Sequence, residues 1–159
     1  RGALRGLVSV LILVGVFLVV PPEDVARGTA ALSLAIAVLL ILLLMSWEVY
    51  RTVNDPYPEV RAANAMLVLV VAVVVVFALT YATISASSPG SFSEPMTKGT
   101  AVYFTVTTLS TTGFGDVHAV SPGARWVVTG QMIFDLVLLV GLARVFLLAV
   151  KAEIGRAHV

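Results

Sequence analysis

The sequence predicts an all-α membrane protein with four membrane-spanning helices and one short re-entrant segment in each chain. Of its 159 residues, 59% are hydrophobic and 12% are charged, whereas soluble domains carry roughly 25% charged residues. The hydrophobic residues are gathered in long runs, and a polar, glycine-containing segment interrupts the pattern between the last two of them. Lipid is therefore the expected surroundings of most of the chain.

Four apolar runs are close to the length of about 20 residues that a helix needs to cross a bilayer. They cover residues 3–20, 28–47, 62–84 and 126–150. The first run ends at Pro21 and Pro22 without the small-residue cleavage site of a signal peptide, so we expect it to be retained as a helix. The second carries no charged residue, whereas the fourth contains Asp135 and Arg144. Each run predicts a spanning helix.

Residues 100–125 lie between the last two spans but are too short and too polar to cross a bilayer themselves. Their first part, GTAVYFTVTTLS at residues 99–110, predicts a helix of about three turns. The second part is TTGFGD at residues 111–116. Glycines at alternate positions permit backbone angles that are closed to residues with a side chain. Since non-helical backbone survives at membrane depth only where protein or water covers it, the pattern indicates a re-entrant segment.

A strand with alternating right- and left-handed backbone angles can direct successive carbonyl oxygens to one side. Around a common axis, copies of it form stacked rings of oxygens in which a monovalent cation can exchange its water shell. The preceding helix would direct its partially negative end at that cation. The segment resembles the signature of the potassium channel family, usually Thr-Val-Gly-Tyr-Gly-Asp. The resemblance covers about residues 62–150, from an outer helix through turret, pore helix and filter to an inner helix.

The resemblance implies a role for each residue of this segment. The filter would be formed by Thr111, Thr112, Gly113, Phe114 and Gly115, with K⁺ bound at the first four. The supporting residues would be Asp116, Thr107, Tyr103 and Phe104. Phe114 stands where the family usually has tyrosine, so we expect packing against Phe104 to replace a hydrogen bond. Thr107 replaces the glutamate of some bacterial members, which makes Tyr103 a candidate donor to Asp116.

Several residues outside the filter are candidates for gating or permeation. Asp135 occupies the place of the family's hinge glycine, and two interpretations stay open: it faces the water-filled cavity, or it is a structural hydrogen-bond partner of the pore helix or a neighbouring subunit. Gln131, one turn earlier, is predicted to pack behind the filter. Gly141 is a candidate for a displaced hinge, and Arg144 for a snorkelling or inter-subunit partner. His118 lies at the outer mouth, either as part of a pH-sensitive ring or as an exposed turn residue without function.

A filter that faces outward places both termini in the cytoplasm of a multi-pass protein of the plasma membrane. The basic residues agree with their usual enrichment on the inner side: Arg1, Arg5, Arg51, Arg61, Lys151 and Arg156 fall inside, and Arg27, Lys98 and Arg125 fall outside. The first two spans have no ladder of arginines, so they do not resemble a voltage sensor. We predict a peripheral hairpin and cytoplasmic link at residues 1–60 and a pore domain at residues 61–159.

These patterns predict a homotetramer that conducts K⁺ passively, with K⁺ in the filter, the lipid bilayer around it and no other cofactor. A weakly selective cation channel of the same fold and a non-conducting receptor or structural subunit are the alternatives. The net charge of +1 indicates no nucleic-acid partner. An enzyme is not expected, because the chain has no cysteine, only two histidines and no pairing of a nucleophile with a base.

Overall fold

The computed structural model describes residues 2–19 and 58–157 of the chain. These residues form four helices, which are α1 (Gly2–Val19), α2 (Pro58–Ser87), α3 (Lys98–Leu109) and α4 (Pro122–Ala157). The runs predicted to span at residues 3–20, 62–84 and 126–150 are therefore helical where described, and so is the short helix predicted at residues 99–110. The span predicted at residues 28–47 lies outside the described residues.

Within the described residues, two stretches are long and apolar enough to cross a membrane, namely Ala65–Ser87 in α2 and Pro122–Val140 in α4. The apolar part of α1, Val8–Val19, is shorter. The stretch in α2 is 50% buried inside the chain, whereas the stretch in α4 is only 28% buried. Most of the surface of Pro122–Val140 is thus available for contact with lipid or with another protein surface.

Two hydrophobic clusters hold the helices together. The first joins α2, α3, α4 and the loops between them through Ala78, Tyr81, Ala82, Phe92, Met96, Ala101, Phe104, Val117, Ala124 and Val128. The second joins α1 to α2 through Leu13, Val68, Ala72, Val75 and Leu79. Phe17, near the end of α1, packs against both clusters. The end of α1 therefore lies beside the place where α2 meets α3.

The loop between α2 and α3 pairs with the segment that follows residue 116. Phe92 and Ala119 form an isolated antiparallel bridge. The backbone N–H of Ser93 donates to the carbonyl oxygen of His118 at 2.9 Å, and the N–H of His118 donates to the Ser93 hydroxyl at 3.0 Å. This pairing holds the far end of the re-entrant segment while α3 holds its near end.

The helices α1 and α2 end on the same side of the molecule. The backbone N–H of Met96 donates to the hydroxyl of Ser85, near the end of α2, at 3.0 Å. Two residues later, Nζ of Lys98 donates to the carbonyl oxygens of Phe17 and Leu18, at the end of α1, at 2.9 and 2.8 Å. Both helix ends thus lie beside the start of α3. Since α1 and α2 also pack along their lengths, they run parallel.

Candidate functional site

The short helix α3 can be buried although it is rich in threonine, because its hydroxyl groups are paired. Its N-cap is Thr97, whose side chain accepts a hydrogen bond from the backbone N–H of Thr100 at 3.2 Å. The hydroxyls of Thr105 and Thr108 each donate at 2.8 Å to the carbonyl oxygen four residues earlier. Such bonds satisfy hydroxyl groups within the helix itself. The hydroxyl-rich helix can therefore carry the loop of residues 111–115 into an apolar setting.

The loop of residues 111–115 alternates in backbone conformation. The angle φ is +58° at Thr111, +53° at Gly113 and +80° at Gly115, whereas Thr112 and Phe114 have negative φ. A positive φ is open to glycine, but it costs a residue such as threonine roughly 1–3 kcal/mol. The alternation predicted from the two glycines is present, and it begins two residues before the first of them, at a strained threonine.

The backbone of this loop leaves its carbonyl oxygens free. The N–H of Thr111 donates to the carbonyl oxygen of Thr108 at 2.9 Å, and the N–H groups of Thr112 and Gly113 donate to that of Thr107 at 3.0 and 3.2 Å. The donors are thus turned toward the end of α3. Among the described residues, no group donates a hydrogen bond to a carbonyl oxygen of residues 111–115. These exposed oxygens are therefore available for a ligand.

Asp116 fastens the end of the loop to α3. The hydroxyl of Tyr103 donates to Oδ2 of Asp116 at 2.7 Å, as the sequence predicted, and the N–H of Val117 donates to Oδ1 at 2.9 Å. These bonds, that of Tyr103 first, hold the pKa of the Asp116 carboxyl below its usual value, and the same bond raises the pKa of Tyr103. The ionised carboxylate of Asp116 therefore accepts both hydrogen bonds at neutral pH. Their stabilising effect is lost only as the pH falls through the lowered pKa of Asp116.

Phe114 and Phe104 do not meet as predicted. Phe104 is 7% exposed and packs edge-on against Tyr81 and Phe92 at 5.1 and 6.0 Å between ring centroids, because its side of α3 faces α2. The ring of Phe114 instead stacks on that of Tyr103, with the centroids 6.3 Å apart and the planes at 6°. The prediction that Phe104 holds Phe114 is therefore wrong within the chain. Since 69% of Phe114 is exposed, most of the ring is left for a contact outside the chain.

Asp135 is covered by its own chain. Only 2% of the residue is exposed, and its Oδ2 accepts a hydrogen bond from Nε2 of Gln131 at 3.0 Å. Asp135 is nevertheless among the residues around the space between the loop and α4, so its interpretation as a cavity residue stays a prediction. The other interpretation, a structural hydrogen-bond partner of the pore helix or of a neighbouring subunit, also stays a prediction, because Gln131 belongs to α4 itself.

Gln131 is the centre of a buried polar network that joins three helices. It is 0% exposed, and its Oε1 accepts a hydrogen bond from the hydroxyl of Tyr81 in α2. Its Nε2 donates both to Asp135 and, at 3.3 Å, to the carbonyl oxygen of Thr105 in α3. Oδ1 of Asp135 has no partner among the described residues. Two features of the sequence could have indicated this network: a tyrosine within the aliphatic run of α2, and two polar residues one turn apart in α4. Polar side chains that are buried in an apolar helix require hydrogen-bond partners.

Four further residues are candidates for filter support, gating or the outer mouth, namely Thr107, His118, Gly141 and Arg144. Thr107 is 9% exposed, and its hydroxyl donates to a carbonyl oxygen of α3 at 2.9 Å. His118 is exposed beside the end of the loop. Gly141 lies inside α4, which continues through it without a break. The side chain of Arg144 lies outside the part of the chain that the structure describes.

A concave space of about 730 Å³ lies between the loop and α4. Thr111 and Phe114 line it on one side, and Thr129, Met132 and Leu136 line it on the other. Met132 and Leu136 are 55% and 64% exposed. Apolar surface of this extent on a single chain calls for a covering of lipid or protein.

The described residues contain no group of three or more His, Cys, Asp or Glu side chains that could hold a metal ion. The oxygen ligands that this site does offer are the unpaired carbonyls of residues 111–115. Carbonyl oxygens of this kind suit hard cations without d-electron preferences. The geometry of the site therefore fits the transient binding of such a cation, and it contains no arrangement of a nucleophile and a base.

Comparison with known proteins links the chain to a family of ion channels. A family model described as ion channel matches residues 65–151, which is more than half of the 159 residues. No curated protein and no solved structure matches the chain. The matched residues include most of α2, all of α3 and the loop, and α4 as far as residue 151, whereas α1 lies outside them.

Proposed function

The chain belongs to the ion channel family, and from this premise we propose that it conducts K⁺ passively and selectively across the plasma membrane. A channel moves ions without making or breaking covalent bonds, so the protein is not an enzyme. The observation that carries the proposal is the loop of residues 111–115, where φ alternates in sign and the carbonyl oxygens have no partner among the described residues. Rings of such oxygens can replace the hydration shell of K⁺.

The proposed filter requires four copies of the chain, because each chain contributes one column of oxygens. Closed rings of identical subunits are the usual form of soluble oligomers, and a pore on the axis extends the same symmetry to the membrane. The large exposed surfaces support this assembly: Phe114 is 69% exposed and Trp126 is 77% exposed. In a homotetramer, neighbouring copies of the chain and lipid would together cover these surfaces.

The arrangement of four spans with both termini in the cytoplasm is part of the same proposal. The parallel course of α1 and α2 supports it, because two parallel helices can both cross a bilayer only if the chain between them crosses back. The run predicted at residues 28–47 would supply that crossing. The chain would then consist of an N-terminal hairpin with its link, residues 1–60, and a pore domain, residues 61–159.

Ion flux through purified protein tests conduction and separates a channel from a non-conducting structural subunit. We expect liposomes that contain the protein to take up K⁺ down its gradient, protein-free liposomes to take up none, and the complex to have the mass of four chains of 16.8 kDa. A monomer or dimer that conducts would contradict the tetrameric pore. A tetramer without flux would favour the structural subunit.

The variant Phe114→Tyr is expected to conduct K⁺ and to change how quickly the current declines during sustained activity. Most of the Phe114 ring is exposed, so an added hydroxyl can reach a partner on the neighbouring copy. One such hydrogen bond contributes about 0.5–1.5 kcal/mol net, which is enough to alter the lifetime of the conducting filter. Recordings of current against time in bilayers check this. Unchanged kinetics would show that no polar partner lies within reach of the ring edge.

Acid on the outer side is expected to reduce the current, because His118 is exposed beside the end of the proposed filter. The exposed His118 would then place one positive charge per copy beside the exit, two residues from Asp116. A departing cation would be repelled, and added salt should weaken the effect. Current measured at a series of outer pH values checks this expectation. The control is His118→Ala, and an unchanged pH response in this variant would assign the effect to another group.

A further inference from the structure

Lys98 connects the end of α1 to the first turn of α3. Its Nζ donates to the carbonyl oxygens of Phe17 at 2.9 Å and Leu18 at 2.8 Å, and it lies 5.5 Å from the centroid of the Phe17 ring. Since α1 ends at Val19, both oxygens belong to its last turn, where carbonyl groups have no partner inside the helix. The ammonium group of Lys98 therefore caps α1.

The positive charge of Lys98 lies at the N-terminal end of α3, where it does not stabilise that helix. Lys98 is the first residue of α3, and the first turn of α3 contains no acidic residue. A cation is disfavoured at this end, where the helix dipole is positive, and is favoured at the end of α1, where the dipole is negative. Among the described residues, the two carbonyls of α1 are the hydrogen-bond partners of Nζ. The charge thus serves the contact with α1 and not the stability of α3.

An apolar contact accompanies this hydrogen bonding. Phe17 packs against the cluster that contains Ala101 and Phe104 of α3, and also against the cluster that joins α1 to α2. At its other end, α3 holds the loop of residues 111–115 through the carbonyls of Thr107 and Thr108. A helix of 12 residues is a short, stiff rod. A displacement of its first turn therefore reaches the carbonyls that hold the loop.

We propose that Lys98 is a positioning residue of the ion pathway, which joins α1 to α3 so that the position of α1 sets the conformation of the loop at residues 111–115. This inference rests on the proposed function, because it takes that loop to be the filter. The helix α1 is then a control element of the pore, and not only a peripheral membrane anchor.

The test compares two substitutions at Lys98 in the full chain, reconstituted in planar bilayers. Lys98→Met keeps a long side chain but removes the charge and the donors, whereas Lys98→Arg keeps both. The readout is the fraction of time that a single channel conducts K⁺. We expect Lys98→Met to lower this fraction by about fivefold or more, which is the lower end of coupling between protein sites, and Lys98→Arg to stay within about twofold of the parent.

A third variant separates the contact with α1 from the stability of α3. Thr97→Ala removes the N-cap of the same helix end but leaves Lys98 in place. We expect its unfolding temperature to fall at least as far as that of Lys98→Met, and its conducting fraction to stay within about twofold of the parent. Equal losses of conduction in Thr97→Ala and Lys98→Met would overturn the inference, because helix stability alone would then explain them.

A Lys98→Met protein that conducts like the parent also overturns the inference. If this variant does not assemble, Lys98→Gln, which keeps a donor but no charge, gives the same comparison, and parental conduction in it has the same meaning. A parent that does not conduct K⁺ contradicts the proposed function instead. The contact between α1 and α3 is then tested with spin labels attached to Leu18→Cys and Gly99→Cys, since the chain has no cysteine of its own. The distance between the two labels should be narrowly distributed when Lys98 is present and broadly distributed with Lys98→Met.

Discussion

Replacement of Gly113 or Gly115 by alanine is expected to abolish the preference for K⁺ over Na⁺. The two glycines have φ of +53° and +80°, and an added Cβ would meet no atom within 4 Å at either position. The cost of the substitution therefore arises from the backbone angle and not from a clash inside the chain. That cost is about 1–2 kcal/mol per residue and about 4–8 kcal/mol for a filter of four copies. A filter that relaxes to avoid it turns its carbonyl oxygens away from the ion.

Gly90 provides a matched control for this strain. It has φ of +83° and equally open surroundings, but it lies in the loop between α2 and α3, outside the proposed filter. Gly90→Ala should lower the unfolding temperature and leave the permeability ratio of K⁺ to Na⁺ at the parental value. Parental selectivity in Gly113→Ala and Gly115→Ala would show that the backbone angles of the loop do not determine which cation passes.

The variant Gln131→Leu is expected to unfold at a much lower temperature than the parent, or to fail to assemble. It would leave the hydroxyl of Tyr81 and the carboxyl group of Asp135 without their shared partner, although these residues are 0% and 2% exposed. An orphaned buried polar group costs about 1–3 kcal/mol, so the pair costs roughly 2–6 kcal/mol per chain. Lipid offers no water to replace the lost hydrogen bonds.

The control for this prediction is the double variant Tyr81→Phe/Gln131→Leu, compared with both single variants. Tyr81→Phe removes the hydroxyl that Gln131→Leu leaves unpaired, so the double variant should be less destabilised than the two single effects added together. Thermal unfolding in detergent, together with the elution volume of the complex, measures all of them. Strictly additive losses would show that Tyr81 and Gln131 do not act as a hydrogen-bonded pair.

The features that could be predicted from the sequence are those that depend on neighbouring residues. The long apolar runs predict α2 and α4 within a few residues of their observed bounds, apart from the continuation of α4 to Ala157. The polar segment between the runs predicts α3, and the alternating glycines predict the change of sign in φ along residues 111–115. Each of these signals lies within one stretch of chain, where composition and spacing determine the local conformation.

The features that could not be predicted are choices between distant partners. In an α4 that is apolar on nearly every side, helical spacing shows that Gln131 and Asp135 share a face, but not that this face meets α2 and α3. The placement of Phe104 failed for the same reason. Lys98 and Phe17 are far apart in the sequence, and no local pattern joins them. The positive φ of Thr111 is unexpected because a β-branched residue disfavours it.

The reversal potential with K⁺ on the inner side and Na⁺ on the outer side is the most direct test of a potassium filter at residues 111–115. We predict a strongly negative inner potential at zero current, because the free carbonyl oxygens would pass K⁺ and exclude Na⁺. Gly90→Ala should give the same value, and Gly113→Ala should move it toward zero. A parental reversal potential near zero would show that both cations pass equally well, which contradicts a potassium-selective filter and identifies a weakly selective cation channel.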